Sequence, residues 1–291
     1  MIFTLENEYI KVGISSLGAE LCSLKTLNNG LEYIWQASPQ VWPRHAPILF
    51  PIVGKLKNNS FTFNNEEFHL SQHGFARDKE FEMIKHNNDT ISLKLKADSD
   101  SKKHYPFNFE LITYYFLEKN VVRIIYEVLN PESDPLFFSI GAHPGFRCPL
   151  FNGENFEDYF MEFEQNETLI KHKIKDGLIS DEQELFVENT KNLPLNRQIF
   201  NDDALVFKRF KSKFITIKNN LNPHQITVSL DGFPYLGIWT KPSAESTFIC
   251  IEPWYGIADA VHANGEFTNK EGIIKLEGGE KFNCSYSMEV S

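Results

Sequence analysis

The sequence is short of several things, and each shortage removes a class of function. Four cysteines occur in 291 residues, Cys22, Cys148, Cys250 and Cys284, and no two form a Cys-x-x-Cys pair. Without paired spacing, a cysteine-held zinc site lacks its signature. Each lies in or beside an apolar stretch, the ordinary setting of a buried free thiol. Basic charge is in deficit, with 29 Lys and Arg against 39 Asp and Glu and a formal net charge of −10. A nucleic-acid surface needs clustered Lys and Arg to replace phosphate counterions, so no nucleic-acid partner is expected. No apolar run reaches the roughly 18 residues of a membrane span, so no membrane partner is expected. Met1-Ile2-Phe3-Thr4-Leu5-Glu6 carries no positive region followed by an apolar stretch, and a cytoplasmic location is the expectation. The motifs G-x-G-x-x-G, G-x-S-x-G and H-E-x-x-H are absent, and Gly54-Lys55-Leu56 lacks the Ser/Thr of a phosphate-binding P-loop.

What is present is apolar alternation. Phe is abundant at 26 residues, and the Ile and Val content leans toward sheet. Ile91, Leu93 and Leu95 alternate with polar residues, as do Val122, Ile124, Tyr126 and Val128. Ile226, Val228 and Leu230 continue the theme, then Phe282, Cys284, Tyr286 and Met288. This is the period-two pattern of half-buried strands. Asn87-Asn88-Asp89 and Glu118-Lys119-Asn120 read as hairpin turns between such runs. The best short helix falls at Asp202–Phe207, and the polar stretch from Asn152 to Asn201 reads as loops. No linker, charge block or repeat divides the chain. The expectation is all-β: a large antiparallel β-sandwich with few short helices, in a single domain spanning 1–291.

Two strings set a proton-handling side chain where glycine or proline punctuates an apolar run. They are Gly141-Ala142-His143-Pro144-Gly145-Phe146 and Ile249-Cys250-Ile251-Glu252-Pro253-Trp254-Tyr255-Gly256. A strand end can present such a group to a pocket while holding it still, and imidazole with carboxylate is the usual pair for moving protons near neutral pH. Gln72-His73-Gly74-Phe75-Ala76-Arg77-Asp78 has the same character. For His73 and His143 the alternative is a turn-capping imidazole; for Glu252 it is an ion pair. Arg77 and Lys55 are either donors to hydroxyls or a phosphate, or partners of Asp78 and Glu80. Trp239 either offers a ring face to a sugar or belongs to the core. His45 and His262 adjoin these segments as rim candidates.

Taken together the segments resemble the aldose 1-epimerase (galactose mutarotase) family, in the branch that also holds hexose-6-phosphate 1-epimerases. The resemblance runs through Leu17-Gly18-Ala19-Glu20-Leu21, Pro51-Ile52-Val53-Gly54-Lys55-Leu56, Gln72-His73-Gly74, the His143 string, Asp203-Ala204-Leu205, Glu252-Pro253-Trp254 and Gly279-Glu280-Lys281-Phe282. It implies a galactose mutarotase-like sandwich and a reaction at the anomeric carbon of a small-molecule sugar. By the family pattern Glu252 would be the general base and His143 the general acid, with His73 as a third catalytic residue that helps bind or protonate the ring oxygen. Asp203, or its neighbour Asp202, would hold substrate. The family's hydroxyl-holding arginine has Lys55 and Arg77 as candidates. No metal and no organic cofactor is implied. Pro253-Trp254 departs from the usual mutarotase pattern, so the resemblance does not carry galactose specificity. A hexose-6-phosphate epimerase would draw on Arg44, Lys55, Arg77 and Lys241. Other readings are a non-catalytic carbohydrate-binding protein, or a metal site of His73, His143 and Glu252. The sequence sets no oligomeric state.

Overall fold

The computed structural model describes residues 1–243 and 245–291. Strand dominates it, and most of the strands join one 15-stranded sheet. Its path begins Ile48–Leu49, Ile140–Ala142, Phe248–Tyr255, Tyr235–Trp239, Leu205–Phe207 and Tyr159–Lys175. It continues through Phe214–Asn219, Ile226–Ser229, Lys281–Val290, Val121–Leu129, Glu110–Glu118, Thr90–Lys96 and Glu82–His86. The ladders are antiparallel. So long a sheet curls, because each strand adds twist. Leu236, Ile249 and Ile251 near one end share a buried apolar cluster with Ile91, Leu93, Val122 and Ile124 near the other. One apolar cluster that spans strands from both ends is what a sheet curled over its own inner face produces. The result is the β-sandwich that the alternation predicts.

The alternating side chains are buried as their spacing requires: Ile91, Leu93 and Leu95, then Val122, Ile124, Tyr126 and Val128. The two expected hairpins form around Asn87–Asp89 and Lys119–Asn120. Two readings need correction. The polar stretch after Asn152 is not loop: it builds Tyr159–Lys175 and Leu178–Pro194, paired with each other. Most of the second strand faces water on both sides, so no apolar period marks it. Asp202–Phe207 is not a helix but a turn leading into the buried strand Leu205–Phe207. A short apolar run carries no period that separates strand from helix. The α-helix at Ser101–His104 is brief.

Phe146 sits at the centre of one half of the sandwich, fully buried, opposite Ile249 and bridged to Ile34. Truncating it leaves a cavity among strands that cannot collapse without breaking their ladders. Phe146→Ala should lower unfolding free energy by about 3–5 kcal/mol, read from urea denaturation; a loss below about 1 kcal/mol would contradict this packing.

Candidate active site

Strand register brings the main candidates together. Phe248–Tyr255 pairs with Ile140–Ala142, setting Gly141 opposite Trp254, and again with Gly145–Arg147, setting Gly145 opposite Cys250. The two pieces hold one register, and the break between them, His143-Pro144, falls opposite Glu252. Alternation along the strand turns Cys250, Glu252 and Trp254 to one side. The outcome is His143 Nε2 lying 3.2 Å from Glu252 Oε2. Both side chains are buried, Glu252 at 1% exposure and His143 at 8%. The backbone N–H of His143 donates to Pro47 O at 3.1 Å, and Trp42 stacks on its ring at 5.0 Å. Trp239 meets the same ring edge-on at 5.8 Å.

His73 enters from a tight turn. Its φ is +69° and that of Gly74 is also +69°. A Cβ on Gly74 would stand 2.3 Å from Phe50 O, so glycine is required there. The Gly54 N–H donates to His73 Nδ1 at 3.1 Å. That contact places the ring proton of the neutral imidazole on Nε2. The His73 ring meets His143 edge-on at 5.6 Å. All three groups line one cavity of about 380 Å³ with Gln72, Arg77 and Asp203. Trp42, Trp239 and Trp254 supply its aromatic surface, and Ile174, Ile179, Val206 and Ile257 an apolar wall.

Of the residues that the sequence singles out, Glu252, His143, His73, Asp203, Arg77 and Trp239 therefore converge. Asp203, not Asp202, reaches the cavity. Lys55 lies outside its lining, with Nζ donating to Asp176 O at 2.9 Å behind Gly177. Arg44 pairs with Asp78 at 2.8 Å. The His45 backbone N–H donates to Glu20 Oε1 at 2.7 Å, and the exposed His262 pairs with Asp181 at 3.0 Å. Sequence reasoning missed Trp42, which sits in a loop without a pattern, and Trp254, whose site-facing parity with Glu252 was available.

Burial dominates the electrostatics. It pushes the Glu252 carboxyl well above the usual carboxylate range, and the negative charge of Asp203 pushes the same way. Burial pushes the His143 imidazole down to about 3, helped by the positive charge of Arg77. His73 is lowered as well, by burial and then by His143. Both members of the close pair are thus driven toward their neutral forms, because a dry cavity penalises charge. His143, lowered to about 3, carries no second proton at neutral pH. Arg77 is brought down to about 10, chiefly by burial, and so stays charged at neutral pH. Its Nη2 donates to Gln72 O at 2.7 Å, while the buried Nε has no hydrogen-bond partner among the described residues.

The Cys250 thiol lies beside the pair; one donor atom each from His143, Cys250 and Glu252 falls within 4.8 Å of the others. Such a trio has ligand-type atoms, with a thiol in place of the His73 considered from sequence. Burial, then the Glu252 charge, raises Cys250 well above the ordinary thiol range. A neutral thiol is a poor ligand, since metals bind thiolate. The cluster reads more simply as a proton-transfer pair with a packed thiol next to it. All four cysteines are free.

A curled antiparallel sandwich with an imidazole and a carboxyl group facing into one open cavity defines a class of β-protein with a built site for proton-bearing groups. The family model described as aldose 1-epimerase matches residues 1–275, and the chain belongs to that family. It is 33% identical over 299 residues to the plasmid-encoded protein LacX of Lactococcus lactis subsp. lactis, covering all of this chain and 99% of LacX. Among solved structures, a galactose mutarotase related enzyme from Lactobacillus acidophilus superposes with a TM-score of 0.95 at 36% identity, covering 100% of this chain and 97% of that one. A galactose mutarotase-like protein from Lactobacillus casei ATCC 334 gives 0.93 at 28% identity, with both chains covered in full.

One wall of the cavity rests on a buried ion pair. Ile257 and Ala258 line the hollow, and the next residue, Asp259, accepts from Lys270 Nζ at 3.0 Å and from the Lys57 N–H at 2.9 Å. Lys270 Nζ also donates to Ile257 O. Burial lowers the Lys270 amine, and Asp259 opposes that shift. Removing only the amine would strand a buried carboxylate. Lys270→Ala should cost about 3–5 kcal/mol in denaturant unfolding. The double variant K270M/D259N should recover much of that loss; equal losses would mean that the charge pairing is not what matters here.

Proposed function

We propose that the protein interconverts the α and β anomers of an unphosphorylated aldose, with Glu252 and His143 as the catalytic proton carriers. The single observation behind this reading is their 3.2 Å approach inside an open cavity, both buried and both held by strand register. Ring opening of a hemiacetal needs one proton removed from the C1 hydroxyl and one delivered to the ring oxygen. The pair's one proton first passes from Glu252 to His143 across their 3.2 Å contact; Glu252, now a carboxylate, takes the first and His143 gives the second. The C1–O5 bond breaks, the aldehyde turns about C1–C2, and closure with the roles reversed gives the other anomer. The pair ends each cycle with the one proton with which it began, so no cofactor enters the balance. Each positioned transfer contributes about 10² to 10⁴ in rate.

The other lining groups suit sugar binding. His73, with its proton on Nε2, is assigned to the ring oxygen. Arg77 and Asp203 are assigned to hydroxyls, as a fixed donor and acceptor, and Trp42 and Trp239 to the C–H face of the ring. Arg77 is the one cation among the described lining residues, set against the carboxylates of Asp203 and Glu252. That balance favours a neutral sugar over a 6-phosphate, which needs several cations. The apolar cluster running from Leu5 to Val290 supports residues 1–291 as a single unit.

Anomer exchange followed by NMR across free and 6-phosphorylated aldoses tests the reading. Glu252→Gln should lose at least about a hundredfold in kcat with an unchanged melting temperature; full activity in that variant would overturn the assignment. The rate should be bell-shaped in pH. On the acid side the pair gains a second proton, which lands on His143 and so requires strongly acid solution, given a group lowered to about 3. On the alkaline side the last proton leaves, at a pH set by the raised Glu252 carboxyl. A rate that falls on neither side across the pH range in which the protein stays folded would contradict the one-proton mechanism.

A further inference from the structure

Two glycines on neighbouring strands make room for one indole. Gly141 lies opposite Trp254, and Gly237 opposite Glu252. A Cβ on Gly141 would stand 2.7 Å from Trp254 Cδ1, and one on Gly237 would stand 2.4 Å from Cζ2 and Cη2. The ring therefore lies flat across the sheet face, fitted over both neighbours, and a larger residue at either position would displace it. Its edge forms part of the cavity wall. The Nε1–H is buried with no hydrogen-bond partner among the described residues, and Glu252 Oε2, although 3.2 Å from His143 Nε2, makes no well-aligned hydrogen bond. A rigidly seated donor without a partner and a carboxyl oxygen with room for another donor thus sit two residues apart on the same strand face. Folded proteins rarely leave such groups unmatched.

We infer that Trp254 is a positioning residue for Glu252: its indole N–H donates to the carboxylate when Glu252 is charged, and so tunes how readily Glu252 accepts the sugar's proton. Without substrate the N–H is near enough to favour the charged carboxylate but is not aligned for a full hydrogen bond; catalytic hydrogen bonds commonly tighten only with substrate bound. The groups facing Glu252 are His143 from the opposing strand, Asp203 from the turn before Leu205–Phe207, and Cys250 on its own strand. Asp203 disfavours the charged carboxylate, whereas Trp254 favours it.

The inference rests on the proposed proton transfer, and the test separates the two. Trp254→Phe keeps an aromatic ring in the slot and removes the N–H. Its kcat should fall by about tenfold to a hundredfold, the worth of a hydrogen bond to a charged group, with KM changed by less than about threefold. The alkaline limb of its pH profile should move upward, because the carboxylate loses a donor that stabilises its charged form. In an E252Q background W254F should cost nothing further. If E252Q is inactive while W254F keeps the wild-type kcat and pH profile, the role of Trp254 is refuted and the proton-transfer reading survives. If E252Q is fully active, both fall. A second measurement needs no change at position 254. The chain has four Trp residues, and one indole N–H signal of ¹⁵N-labelled protein should follow the alkaline limb in the wild type and stay still in E252Q. Indole signals that all ignore that limb would refute the inference whether or not W254F folds.

Discussion

The structure depends on a register. Phe248–Tyr255 is paired along one side by a strand in two pieces, and both pieces count the same way against it. Where the pairing lapses, His143 faces Glu252. Had the register slipped by one residue, Glu252 would point to the opposite face and Ile251 would meet the imidazole. The lapse itself comes from Pro144, which has no N–H to give a ladder. Hydrogen bonds on both sides of the gap hold the loop down: His143 N to Pro47 O, and Gly145 N to His45 O at 2.8 Å. A 3.2 Å approach between two buried ionisable groups is thus imposed by backbone pairing and not by their own attraction.

The sequence exposed the parts of this arrangement that carry punctuation. His143 and Glu252 stand out because proline interrupts an apolar run beside each. His73 stands out because Gly74 marks a turn that only glycine can make. What the sequence did not expose is adjacency. The pairing that joins these segments is between strands far apart in the chain, and nothing local encodes it. Trp42 was invisible for the opposite reason: its loop has no period, so its stacking on His143 follows from tertiary folding alone. Lys55 shows the limit of motif reasoning. It lies in a segment that resembles the family, yet its amine is drawn to the Asp176 carbonyl and away from the cavity. Leu178–Pro194 was read as loop because solvent reaches both faces along much of it, which erases alternation without preventing its pairing with Tyr159–Lys175, whose own alternation of buried and open positions went unread among polar residues.

The cavity's charges are placed to weaken the pair, not to strengthen it. Arg77 pushes His143 away from protonation, and Asp203 pushes Glu252 toward it. A site built for stability would do the reverse and lock an ion pair. Buried ion pairs of that kind occur in this protein, as Lys270 with Asp259 shows, and they serve to fix a loop.

For the proposed anomer exchange, a locked ion pair would be a handicap. The reaction is near balance and must run in both directions, so each group has to accept and release the same proton in turn. Transfer is most efficient when donor and acceptor differ little in proton affinity. A carboxylic acid and an imidazole in water differ by roughly two pK units, with the imidazole holding the proton. Burial shifts both toward neutrality, which pulls the proton back toward the carboxyl and narrows or inverts that gap. Any substrate hydroxyl or indole N–H that then donates to Glu252 moves the balance toward the charged carboxylate. The pair is consequently sensitive to small local donors, and hydrogen bonds that would be incidental on a surface can decide the direction of proton flow here.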